Sequence, residues 1–221
     1  MEEKRPDSGR KGRWSRIFVS HIKLWIFLAI LVLAWMLSAG IRAGRDARLQ
    51  RGISSRVLRF HVLANSDGEK DQAVKLKVRD GVLDWLEQEL TPQEQNHLDL
   101  MSQRVAELLP AIEQKAYEIL EEDGVSYGVK AELGVSRFPE KTYGDCTFPA
   151  GNYTALRLLL GKAEGRNWWC VLFPRLCFLD CVHAVLPQES ERQLQNVLTE
   201  EEYESLFDPG KDEYKICFRY F

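Results

Sequence analysis

Cysteine is scarce, five in 221 residues. That is too few for a disulfide-dense scaffold, and no spacing among them is that of a zinc ribbon. Glycine and proline number 15 and 8, with no collagen-like period and no low-complexity tract. No internal repeat is visible, and no Pro/Gly-rich linker follows residue 56, so the rest of the chain reads as one domain rather than a solenoid or a string of modules. Positive charge is short in residues 52–221, which hold 19 basic and 29 acidic side chains for a net of -10. Such a body repels phosphate, so no nucleic-acid partner is expected. Apolar residues are not lacking: 45% of the chain is hydrophobic and 10% aromatic, which excludes global disorder.

The amino-terminal quarter is of a different kind. Residues 1–51 carry 11 basic and 4 acidic residues, a net of +7, so the overall -3 conceals two environments. Residues 1–23 form a basic region ending at Lys23, and an uncharged run, LWIFLAILVLAWMLSAGI, follows from Leu24 to Ile41. As a helix those residues would span roughly 27 Å, just enough for a bilayer core. An ordinary core helix keeps a polar face, and this run has none. Trp25 and Trp35 suit the two membrane interfaces. Ser38-Ala39-Gly40 would also suit a signal peptidase, so the segment is a signal anchor or an uncleaved signal peptide, with cleavage as the alternative. Five basic residues on each side (10–23 and 42–56) leave the positive-inside count tied. The signal-like n-region favours a cytoplasmic amino terminus and an exported domain. Residues 42–55, with few apolar side chains and four arginines, read as a juxtamembrane stalk that touches anionic lipid, or as a plain solvated linker.

Residues 56–221 are long enough, at about 165, to bury roughly 70% of their unfolded surface without staples. Val57–Ala64 reads as a strand. Ser66 with Glu69 three residues later is a capping-box signature for a helix over Asp67–Leu90. That helix has a Val74, Val78, Val82, Leu86 stripe, with Leu83 and Leu90 beside it, and its charged remainder reads as a solvated face. Thr91, Pro92 and Glu94 start a second helix that runs to Glu122 and kinks or restarts at Pro110. The period then changes to two over Tyr127–Val135, a half-buried strand. Tyr153–Leu160 and Trp168–Phe173 read as a hairpin around the 161–165 turn. A helix is expected over Glu189–Phe207 and a closing strand over Tyr214–Phe221. The expected fold class is α+β: a single domain with a mixed or antiparallel sheet and helices on one face, preceded by an N-terminal hydrophobic helix.

Chemistry-bearing residues are few. His61, Asn65, Ser66, Asp67 and Asp71 gather where a strand end meets a helix start, a place that binds anions or simply caps the helix. Trp168, Trp169, Phe173 and Phe178 crowd one run, which is core or an exposed partner contact. A contact centred on those aromatics with His61, Asn65, Asp67 and Asp71 as its rim requires the first strand and the Trp168 strand to be near one another. Cys170 and Cys177 are a possible disulfide in an oxidising exterior, or two buried thiols. Cys177, Cys181 and His183 lack a matching fourth ligand, so no metal is expected, and no cofactor motif is present. A Cys170 or Cys177 nucleophile with His61 or His183 and Asp180 can be assembled on paper without any local signature to support it.

Several long motifs carry a family resemblance. These are RFHVLANSD at 59–67 with Asp71-Gln72, KLKVRD at 75–80, FPEKTYG at 138–144, FPAG-x-Y-x-ALR at 148–157, and NWWCVLFP-x-LCF at 167–178. Together they resemble the stage II sporulation protein R family of endospore-forming bacteria over about residues 56–183. Gly68 and Arg175 depart from the pattern, where the family usually has a serine and a second proline. The resemblance implies a forespore-made, exported signalling protein without catalytic residues. Its partner would be a membrane-embedded sporulation protease, an aspartic protease of the mother cell that processes a sigma-factor precursor. The competing classes are an envelope-associated thiol hydrolase acting on cell wall and a structural envelope anchor.

Overall fold

The structure, a computed structural model, describes residues 9–177, 186 and 188–207. The chain divides into two units, one up to Arg48 and one from Leu49 on. A single helix, α1 (Gly9–Ser54), contains the apolar run. Its stretch from Trp25 on is long and apolar enough to cross a membrane. Trp25 and Trp35 are 69% and 70% exposed, and the apolar side chains between them are nearly all exposed as well. That pattern suits an apolar medium and not water, so the helix is compatible with a signal anchor or a membrane span.

The second unit is mixed helix and sheet around an open sheet. Strand β1 (Leu58–Leu63) is followed by helices α2 (Glu69–Glu89), α3 (Pro92–Asn96) and α4 (Leu98–Glu122), then by strands β2 (Val129–Phe138), β3 (Lys141–Tyr143), β4 (Cys146–Phe148), β5 (Gly151–Leu160) and β6 (Asn167–Phe173), and by helices α5 (Gln188–Val197) and α6 (Glu200–Leu206). The sheet order is β2-β5-β1-β6, with β3 and β4 forming a separate two-stranded ribbon. β1 runs parallel to β5 and antiparallel to β6, and β2 runs antiparallel to β5.

Strand alternation sorts the core. Leu58, Phe60 and Val62 of β1 and Leu156, Leu158 and Leu160 of β5 meet the buried stripes of α2 (Val74, Val78, Val82, Leu86) and α4 (Met101, Val105, Ile112, Ala116). The α2 stripe is the one its spacing predicts. A second core on the other face joins Phe138, Tyr153, Ala155 and Val171 to Cys146 and Phe148 of the ribbon and to Leu194, Leu198 and Leu206 of the short helices. Arg56 ties into this layer, its Nη1 donating to Val197 O at 3.2 Å and to Glu202 at 2.8 Å.

The structure departs from the sequence expectations in five places. β5 and β6 are not a hairpin, because β1 lies between them. Their link over 161–166 has to span about two strand spacings, roughly 10 Å, which is too far for a tight turn. It rests on the end of β1, Glu164 N–H and Gly165 N–H donating to Asn65 O and Ala64 O. Ser66 does not form a capping box. Gly68 is the N-cap of α2, with no side-chain bond, because the Ser66 hydroxyl is turned to Asp71 and Gly68 N. The second helix breaks at His97, whose backbone is extended at φ -132° and ψ 119°, and it continues through Pro110. The third acidic helix is two, because Thr199 and Glu202 form a capping box that starts α6. The α2 charges are not all solvated, since Lys75 is 1% exposed. The Thr91–Glu94 box is present as expected, with Pro92 in the first turn. The strand expected over 214–221 lies outside the described residues.

Candidate functional site

The polar residues at the end of β1 form a clasp. Asp71 Oδ2 accepts from Ser66 Oγ at 2.6 Å and Asn65 Nδ2 at 2.8 Å, and Asp71 Oδ1 accepts from the Tyr127 hydroxyl at 2.9 Å. These donors, Ser66 first, hold the Asp71 carboxyl below its usual range. Burial, and donation to Asp71, push the Tyr127 hydroxyl up. Two side chains reach across to the β5–β6 link: Asn65 Oδ1 accepts from Lys162 N at 3.0 Å, and Asp67 Oδ1 from Arg166 N at 2.7 Å. Lys75 completes the junction, donating to Gln72 Oε1 at 2.7 Å and to Arg166 O at 3.2 Å. Its burial, with Arg166 and Arg79 nearby, brings its pKa down to about 8. The link needs Gly165, because a Cβ there would run into the Ser66 carbonyl. Asn65 and Asp71 therefore act inside the fold, and the Asp67 side chain stays 66% exposed beside Arg166.

His61 lies elsewhere, on the sheet face away from α2 and α4. It is 4% exposed. Its ring stacks on Trp169 at 4.7 Å and 2° and meets Phe138 edge-on at 5.3 Å. The register sets Arg157 of β5 on one side of it and Trp169 of β6 on the other. Arg157 pairs with Glu132 of β2. Among the described residues neither ring nitrogen has a hydrogen-bond partner of good geometry. Burial, followed by the Arg157 charge, lowers the His61 pKa from 6.5 to about 4, with Asn167 working in the opposite direction. His61 is thus a neutral imidazole at any pH near 7.

One position along the same strand face, Arg59 is fully buried. Its guanidinium lies 4.4 Å from the Phe138 ring, 5.0 Å from Tyr153, 5.3 Å from Phe148 and 5.8 Å from Tyr143. Nε donates to Cys170 O at 2.9 Å and Nη2 to the Tyr143 hydroxyl at 3.2 Å, and that hydroxyl donates on to Trp169 O at 3.2 Å. No carboxylate pairs with it among the described residues, so ring faces, the Cys170 carbonyl and the Tyr143 hydroxyl oxygen compensate the charge. The sequence analysis missed Arg59, Lys75 and Arg157. The available signal was the alternation in Leu58-Arg59-Phe60-His61-Val62, which puts Arg59 and His61 on one face. That pattern ordinarily marks a solvent face, and here the β3–β4 ribbon covers it.

The aromatic run is divided by alternation. Trp168 packs edge-on to Phe60 at 6.0 Å and beneath the Arg79 guanidinium at 4.7 Å, on the helix side. Trp169 takes the opposite face, with His61. Phe173 is 1% exposed, in the helix-side core, and Phe178 lies outside the described residues. Cys146, Cys170 and Cys177 are free thiols. Cys170 sits opposite Phe60, on the helix side. Burial pushes the Cys146 and Cys177 thiols up. Among the described residues, no group of three or more His, Cys, Asp or Glu is placed to hold a metal; Cys181 and His183 lie outside them. β1 and β6 are neighbours, as the rim-and-aromatic contact requires, and His61 stacks on Trp169 across them, while Asn65 and Asp71 bond to each other in the clasp.

Fold and geometry together define an open mixed-sheet α+β domain carried behind an apolar N-terminal helix. The family model described as stage II sporulation protein R matches residues 54–183. Stage II sporulation protein R of Bacillus subtilis (strain 168) is 37% identical to the chain over 154 residues, 66% of this chain and 67% of that protein. The chain belongs to the stage II sporulation protein R family. No solved structure matches it.

Proposed function

We propose that this sporulation protein is an exported signal that acts by binding and carries out no bond chemistry of its own. On this reading residues 1–23 stay in the cytoplasm, 24–41 hold the membrane, 42–55 are a stalk, and 56–221 are the signalling domain between forespore and mother cell. Its partner is a membrane-embedded aspartic protease that processes a mother-cell sigma-factor precursor, and binding shifts that protease toward its active population. Membership of the family carries the reading. The geometry adds a candidate contact: the half-buried Trp169 stacked on His61, bordered by Arg157 and Asn167. A half-exposed aromatic with a polar border has the usual composition of a binding hot spot.

Strand alternation removes one of the pairs that a thiol hydrolase could use. Cys170 faces α2 and α4 while His61 faces the other way, so the two cannot form a nucleophile–base pair across β1 and β6. The test is co-expression of the full chain with the protease and its precursor. The wild-type chain should give precursor cleavage. Trp169→Ala and His61→Ala should reduce it by about tenfold or more, on the scale of a lost hot spot, in proteins that still fold by circular dichroism. Full activity in both variants would remove this face from the contact.

A further inference from the structure

We propose that Cys170 and Cys177 are joined by a disulfide as the exported domain folds, tying edge strand β6 to the turn that follows it. The inference rests on the export reading above and concerns a covalent modification that the activity does not require.

The geometry supports the pairing. Both thiols are donors to one oxygen, Val171 O, with Cys177 Sγ at 3.0 Å and Cys170 Sγ at 3.6 Å. Sharing that one acceptor places the two sulfurs within about 6.6 Å of each other. The turn brings them together: Leu176 N–H donates to Val171 O at 3.1 Å and to Pro174 O at 2.8 Å, folding residues 174–177 back along the strand. A disulfide requires sulfurs about 2.0 Å apart on Cα atoms within roughly 7 Å, so the bond forms when both side chains turn from their shared acceptor toward each other. Oxidation leaves no acceptor stranded, because Val171 O keeps the Leu176 N–H when both S–H donors are lost. Cys146 belongs to the other core, with Phe148 and Tyr153, on the far side of the sheet from Cys170.

The environment also sets the timing. Cys170 is 1% exposed, and burial holds the Cys177 thiol well above its ordinary pKa. The folded dithiol is therefore a poor nucleophile and oxidises slowly. In the unfolded, newly exported chain both thiols are free to react. One Cys thiolate attacks an exogenous disulfide, such as oxidised glutathione or an envelope thiol oxidoreductase, and releases one thiol. The second Cys then attacks the mixed disulfide and releases the other. Two protein thiols and one external disulfide become one protein disulfide and two external thiols. In a reducing cytoplasm the reaction does not proceed, so the cross-link is added after export.

Arg175 lies between the two cysteines, so trypsin places them on separate peptides, 167–175 and 176–192. The full chain, taken from producing cells with its free thiols alkylated on lysis, should yield these peptides joined. The join should vanish in Cys177→Ala and persist in Cys146→Ala and Cys181→Ala. Full chain refolded in detergent with oxidised glutathione should form the same bond, and reduction should lower its melting midpoint by about 5–10 °C. Alkylated Cys170 and Cys177 in both samples would overturn the proposal. So would a join that survives Cys177→Ala, or an unchanged midpoint after reduction. A bond formed on refolding but absent in the cell would overturn the proposal, while the export reading would stand or fall separately on a compartment reporter fused after Phe221.

Discussion

Arg59 and His61 are two residues apart on one strand face, and neither has an acidic partner among the described residues. Four rings and two oxygens surround Arg59; His61 loses its charge because burial, then two arginines, oppose protonation. The consequence at His61 is a pH dependence. Its folded pKa, about 4, is below the ordinary 6.5, so the unfolded chain binds the proton more readily. Stability is full above pH 6.5 and falls as pH drops toward 4, by about 3 kcal/mol over that window. Asp71, also depressed, acts at lower pH, where its own carboxyl protonates. Thermal melts from pH 7.5 to 4 should show the loss in the wild type and a flatter profile in His61→Gln; equal slopes would contradict the assignment. At Arg59 the contacts are directional. Arg59→Lys keeps the charge but cannot reach both Cys170 O and the Tyr143 hydroxyl, and should cost about 1–3 kcal/mol by urea unfolding.

Among the elements, the helix starts are informative. Thr91 and Thr199 close capping boxes in which the hydroxyl accepts from the Glu94 or Glu202 N–H at 3.3 Å and the Glu carboxylate accepts from the Thr N–H. Thr91→Ala should therefore cost about 1 kcal/mol. Ser66 looks the same in sequence, followed by Glu69, yet its hydroxyl belongs to the clasp. Ser66→Ala should raise the Asp71 pKa, measured by carboxyl carbon shifts in NMR, and should loosen the 161–166 link in hydrogen exchange. A change in α2 fraying with no shift at Asp71 would restore the capping reading. The clasp also explains why Asn65, Asp67 and Asp71 stand together: each fastens the β1–α2 junction, two of them directly to the link that carries the chain over β1 to the sheet edge.

For the molecule as a whole, the exposed apolar side chains of α1 and the two-core domain from Leu49 on have opposite requirements of their surroundings. A reporter enzyme that works only outside the cytoplasm, fused after Phe221, should be active if the domain is exported. A cytoplasmic reporter active at the same junction would reject the export reading. Residues 52–221 behind an unrelated cleavable signal should still give precursor cleavage. Loss of cleavage with normal export and folding would mean that α1 takes part in signalling.

Sequence by itself determined what depends on local pattern. The apolar run of α1, the buried Val74–Leu86 stripe, the Thr91 cap and the α+β class all follow from composition and from periods of 3.6 or 2, which neighbouring residues set without reference to distant ones. The long motifs likewise sufficed for the family. Tertiary structure decided what depends on which strand lies beside which. Only the insertion of β1 between β5 and β6 makes Arg59 a buried cation, puts Trp169 on His61 and Trp168 on Phe60, and hides Lys75 beneath the 161–166 link. Each of these rests on a partner about 90 to 110 positions away, and the pairing is set by burying both faces of β1, a requirement of the assembled sheet that no local stretch of sequence expresses.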